Sequence, residues 1–91
     1  MSCLDEERKI IDEIDGKMAE LFEKRMEAVK KIAEYKKRNG LEIYCKDREN
    51  EIISKSPDRI CDKRLIKYYT DFLIGITEIS KEYQKDIFDE I

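Results

Sequence analysis

The chain has 91 residues, of which 45% are charged and 41% apolar, and a net charge of −3. Its pI of about 5.1 argues against a general nucleic-acid binder. No apolar run approaches the roughly 18 residues of a membrane span.

Length favours one domain over 1–91, with a limited core of its own. The apolar residues are periodic, which argues against disorder. The first helix is expected to start near Ser2, where Ser2 and Asp5 have capping-box spacing, and to stop at Asn39-Gly40. Its stripe includes Leu4, Ile11, Ile14, Met18, Leu21, Ala28, Val29, Ile32 and Tyr35. The pairs Glu13–Lys17, Glu20–Lys24 and Glu27–Lys31 read as a solvated face. Such a helix is roughly 54 Å long, while a compact domain of this size is about 30 Å across. The remainder of the chain is too short to cover its stripe. A second copy is the simplest cover, so a homodimer built on the long helices is expected.

An extended link over 41–44 follows, then a short helix over about 47–55 that stops before Ser56-Pro57. The last helix is expected to begin between Asp58 and Asp62 and run to about Phe88. Its stripe is Leu65, Tyr69, Phe72, Leu73, Ile76, Ile79, Tyr83 and Ile87. The predicted class is all-α, with three helices in the order long, short, long.

Polar residues interrupt these stripes. Arg8, Arg25 and Lys36 sit in the apolar seam of the first helix. A buried unpaired charge costs several kcal/mol, so each needs an anion, a partner or a route to water. Snorkelling or a coiled-coil register role is the plain alternative. Arg25 and Lys36 are eleven residues apart, within about 20° of one direction and about 16 Å along the axis. Their side chains would bracket a gap of small-molecule size, floored by Val29 and Ile32. Arg8 is turned about 100° from Arg25 and lies about 25 Å away, so it would have to enter from an antiparallel partner. On the last helix Ser80 and Gln84 face inward and need hydrogen-bond partners, either in a ligand or on a neighbouring helix. The short helix adds Arg48 and Glu49, with Ile52 and Ile53 turned to the core. Four cations, one carboxylate, one hydroxyl and one amide suit a small polyanion with two carboxylates and a hydroxyl.

There is no histidine, so the usual general base is missing. Cys3, Cys45 and Cys61 fit no zinc pattern, and the glycines form no phosphate loop. No metal and no cofactor is expected. Any catalysis would rest on binding, conformational restraint and electrostatics. An odd cysteine count with no export signal suggests reduced thiols and a cytoplasmic location.

The chain resembles the all-helical class of chorismate mutases over nearly its whole length. "RKIIDEIDGKMAELFEKRMEAVKKIAEYK" and "NGLEIYCKDRENEII" carry most of the likeness. The family pattern has an early Arg, an Ile-Asp, a Leu-rich run into an Arg, a Lys eleven residues on, and an Asp-x-x-Arg-Glu. Arg8, Asp15, Arg25, Lys36, Arg48 and Glu49 stand at that spacing, and Ser80 and Gln84 match a C-terminal Ser-x-x-x-Gln. One position departs: Cys45 stands where the family has the Asp that opens the Asp-x-x-Arg-Glu. Cysteine is a poor cap, so Asp47 is an alternative cap about a turn later.

The resemblance implies an isomerase that converts chorismate to prephenate, toward phenylalanine and tyrosine. It implies Lys36, Gln84 and Arg25 as catalytic residues. Arg8 (from across the dimer interface), Cys45, Arg48, Glu49 and Ser80 would also bind substrate. A monofunctional enzyme without end-product control is expected. The rivals are an isochorismate pyruvate lyase of the same fold and a non-enzymatic dimerisation module that uses the cations in interchain salt bridges. A nucleic-acid module built on Lys30, Lys31, Lys36, Lys37 and Arg38 is more distant and would require salt-sensitive binding.

Overall fold

The computed structural model describes residues 2–90, and within them it is helical without strands. Helix α1 spans Cys3–Arg38, α2 Lys46–Ser54, α3 Ser56–Arg59 and α4 Ile66–Glu90, with a 3₁₀ turn over Lys63–Leu65 before α4. The expected order of long, short and long helices is the one observed, with α3 a single added turn.

Local chemistry explains the ends. Ser2 caps α1, its hydroxyl accepting from the Asp5 backbone N–H at 3.2 Å. At the other end Gly40 takes φ of 65°, a left-handed conformation that suits glycine. Leu41 N–H donates to the Lys36 carbonyl at 2.8 Å and Gly40 N–H to that of Lys37 at 3.4 Å. These two bonds make a Schellman stop. Pro57 lies in the first turn of α3, where its missing N–H leaves no helical bond unmade. Ser56 is fully buried and its hydroxyl meets that of Thr70 at 2.7 Å, which pins α3 to α4. The last helix begins later than expected. Asp62 accepts from Arg64 N–H and caps the 3₁₀ turn, so 58–62 does not join α4.

The molecule is long and thin, with extents of 56 × 27 × 14 Å. Its radius of gyration is 16.5 Å, against about 12 Å for a compact chain of this length. Among the described residues the buried apolar side chains are Val29, Ala33, Leu73 and Ile87. They form the seam where the C-terminal half of α1 packs on α4. This differs in detail from the sequence expectation. Ala28, Ile32 and Tyr35 are exposed, and Ala33 fills the contact because its small side chain allows close approach. On α4 the inward face is Leu73, Thr77, Ser80, Gln84 and Ile87, while Phe72 and Ile79 lie outside it, and Leu65 is exposed in the preceding 3₁₀ turn.

The N-terminal half of α1 meets little of its own chain. Leu4 is 57%, Ile11 54% and Leu21 62% exposed. Met18, Leu21 and Phe22 of α1 and Phe72, Ile76 and Ile79 of α4 line one apolar groove that continues this face. Among the described residues, no helix is long and apolar enough to cross a membrane.

Candidate active site

A half-open cleft lies between the C-terminal half of α1, the start of α2 and the middle of α4. Arg25, Lys36, Cys45, Arg48, Glu49, Ser80 and Gln84 all line it, on the Val29 and Ile32 floor that helical spacing predicts. Its volume is about 140 Å³, below the roughly 300–1,000 Å³ of common ligand pockets. Arg8 is exposed on the far half of α1 and lies outside this cleft within one chain.

Each wall has a reason. Arg25 leans across from α1 and donates to the Ser80 hydroxyl. Ser80 in turn donates to the Ile76 carbonyl at 2.8 Å, which leaves its oxygen to accept from Arg25. Arg25 is thereby aimed before any ligand arrives. Burial first, and then the neighbouring charge of Arg48, press its guanidinium below its ordinary value. A cation destabilised in this way gains from an anion in the cleft. Lys36 donates to the Ile43 carbonyl at 2.8 Å, which ties the end of α1 to the link before α2. An ammonium has three donors, so others remain for a ligand. Arg48 pairs with Glu51 at 2.5 Å, and both are substantially exposed. Such a pair contributes little to stability and leaves Arg48 free to exchange partners.

Three buried polar atoms have no protein partner among the described residues: Glu49 Oε2, Thr77 Oγ1 and Gln84 Oε1. All three residues line this cleft. Buried polar atoms are normally paired, so their clustering marks a place where a ligand or water completes the bonding.

Cys45 occupies the N-cap position of α2, with φ of −135° and ψ of 98° and no side-chain capping bond. Asp47 is already inside the first turn, so it does not cap in its place. The helix start is therefore set at Cys45 without a good cap. Cys45→Asp should raise stability by about 1 kcal/mol, read from chemical denaturation, with catalytic activity held or improved. A clear loss of activity would mean that a carboxylate does not fit at the mouth of this cleft.

Two cleft residues escaped the sequence reading. Thr77 sits one turn before Lys81 on α4, and both face the same way as Ser80 and Gln84. Lys81 Nζ lies 2.9 Å from Glu78 and 3.3 Å from Glu49, with the Tyr44 ring centroid at 5.2 Å. The hydrogen bond with Glu78 is the main influence raising its ammonium above the ordinary value. Glu49 adds to it, and desolvation opposes both. The available signal was the helical spacing: 77, 80, 81 and 84 follow the i, i+3, i+4, i+7 rule.

A family model described as chorismate mutase type II matches residues 7–91. No curated protein and no solved structure matches the chain.

Proposed function

We propose that this chain, which belongs to the chorismate mutase type II family, works as a homodimer that rearranges chorismate to prephenate on the route to phenylalanine and tyrosine. The family is one of isomerases, and the chain is an isomerase of that kind. The observation that carries the reading is the cleft itself. Arg25, Lys36, Arg48 and Glu49 line one cleft, and buried polar atoms there lack partners.

The reaction is an intramolecular [3,3] rearrangement. The ether bond between the ring and the enolpyruvyl oxygen breaks while a carbon–carbon bond forms across the ring. No nucleophile is required. The substrate must fold so that the enolpyruvyl arm lies over the ring, and its two carboxylates give the handles. Arg25, held by Ser80, and Arg8 of the partner subunit would clamp them, with Arg48 adding positive charge. Clamping both ends converts a rare conformer into the bound one. Glu49 Oε2 would accept from the ring hydroxyl. As the ether bond stretches, its oxygen gains negative charge. Lys36 and the Gln84 amide would donate to it, in a site where donors are already placed.

The small, half-open cleft and the exposed face of α1 support a shared site. A second copy lying antiparallel would cover Leu4, Ile11, Ile14 and Leu21 and bring its own Arg8 to the open side.

Ultraviolet measurement of chorismate loss, with identification of the product, tests the reading. Prephenate is expected. Pyruvate release from isochorismate without mutase activity would assign the chain to the lyase reaction instead. Inactivity toward both would favour a dimerisation module.

A further inference from the structure

We propose that Lys81 is a positioning residue that holds the Glu49 carboxylate so that one oxygen is occupied and the other stays free for the substrate hydroxyl. The role rests on the mutase reading above, because it needs a ring hydroxyl in the cleft.

The geometry divides the two oxygens of Glu49. Oε1 meets Lys81 Nζ at 3.3 Å. Oε2 is buried and has no partner among the described residues. A carboxylate on a long side chain would otherwise rotate and place either oxygen outward. Lys81 removes that freedom by holding one end. Lys81 is itself held at three points, by Glu49, by Glu78 at 2.9 Å and by the face of Tyr44. Tyr44 adjoins Cys45 in the link, so Lys81 joins α4, the link and α2 at the mouth of the cleft. This matters because α2 has no buried residue of its own to seat it. Lys81 also offsets the charge of Glu49, so a carboxylate can remain beside a dianionic substrate.

A bridge that served only to hold α2 on α4 would predict a different pattern from a positioning role. Loss of a purely structural bridge reduces the folded fraction and lowers apparent kcat with KM unchanged. Loss of Glu49 positioning weakens the grip on the hydroxyl. That group does not change charge during the rearrangement, so the effect falls mainly on KM.

The test is a double-mutant cycle on the homodimer with chorismate as substrate. Lys81→Met keeps the apolar stem and removes the charge. Its kcat/KM should fall about tenfold, chiefly through KM, and any fall in melting temperature should leave the variant fully folded at the assay temperature. Lys81→Arg, which can still bridge both carboxylates, should recover most of the loss. In a Glu49→Ala background the same Lys81→Met change should lower kcat/KM by no more than about twofold, since its target is gone. Should Lys81→Met fail to fold, Lys81→Gln carries the same cycle. An active wild type whose Lys81→Met variant retains full kcat/KM overturns the role and leaves the mutase reading intact. Equal tenfold losses in both backgrounds overturn it as well. A wild type inert toward chorismate overturns the role together with the mutase reading.

Discussion

Replacing Lys36 by alanine should lower kcat by about 100-fold or more, the scale for losing one preorganised donor at a developing charge. Lys36 is held in place by the Ile43 carbonyl at 2.8 Å, so its ammonium does not have to be ordered during the reaction. The variant should remain folded. Lys36 is only half-buried, and the hydrogen bond its ammonium makes contributes about 1.5–3 kcal/mol, less than the roughly 5–15 kcal/mol stability of a typical domain. Saturating chorismate kinetics and a thermal melt together check this. Unchanged turnover would remove Lys36 from the chemistry. A collapse of the melt would show that its bond to the link holds the α1–α2 corner together.

Arg8→Ala and Arg25→Ala homodimers should each be nearly inactive, yet a refolded equal mixture of the two should regain about a quarter of wild-type activity. The argument is geometric. Arg25 lines the cleft and Arg8 does not, and the two point about 100° apart on one straight helix. Each pocket in the proposed dimer takes Arg25 from one protomer and Arg8 from its partner. Random pairing makes about half of the dimers mixed. One pocket of each mixed dimer has both arginines and the other has neither. So about one pocket in four of the sample is intact. Mixing without unfolding or subunit exchange should restore nothing. If each pocket were complete within one chain, no mixture could recover activity, and the refolded sample would stay as inactive as its parents.

Much of this molecule was legible in its sequence. Ser2 and Gly40 mark the ends of α1 because a capping hydroxyl and a left-handed glycine act on their immediate neighbours. Arg25 and Lys36 could be placed in one cleft because angles along a single helix follow from residue spacing alone. The same holds for Ser80 with Gln84. Cys45 was legible as a weak cap, while its position at the start of α2 needed the fold.

What the sequence by itself determined was therefore the helical class, the order of the long and short helices, and the polar set that breaks their apolar stripes. Only the tertiary structure decided how the helices are rotated against each other. Periodicity gives a stripe but not the part of it that meets a neighbour. The α1–α4 contact turned on Ala33, whose small side chain lets the backbones approach, and it left Ala28 and Tyr35 outside. The packing of α2 on α4 is likewise what brought Lys81 to Glu49. Among 19 lysines and arginines, Lys81 looks like any other surface cation. Its importance comes from a contact between α4 and α2, 32 residues apart in the chain, and local spacing does not encode such a distance.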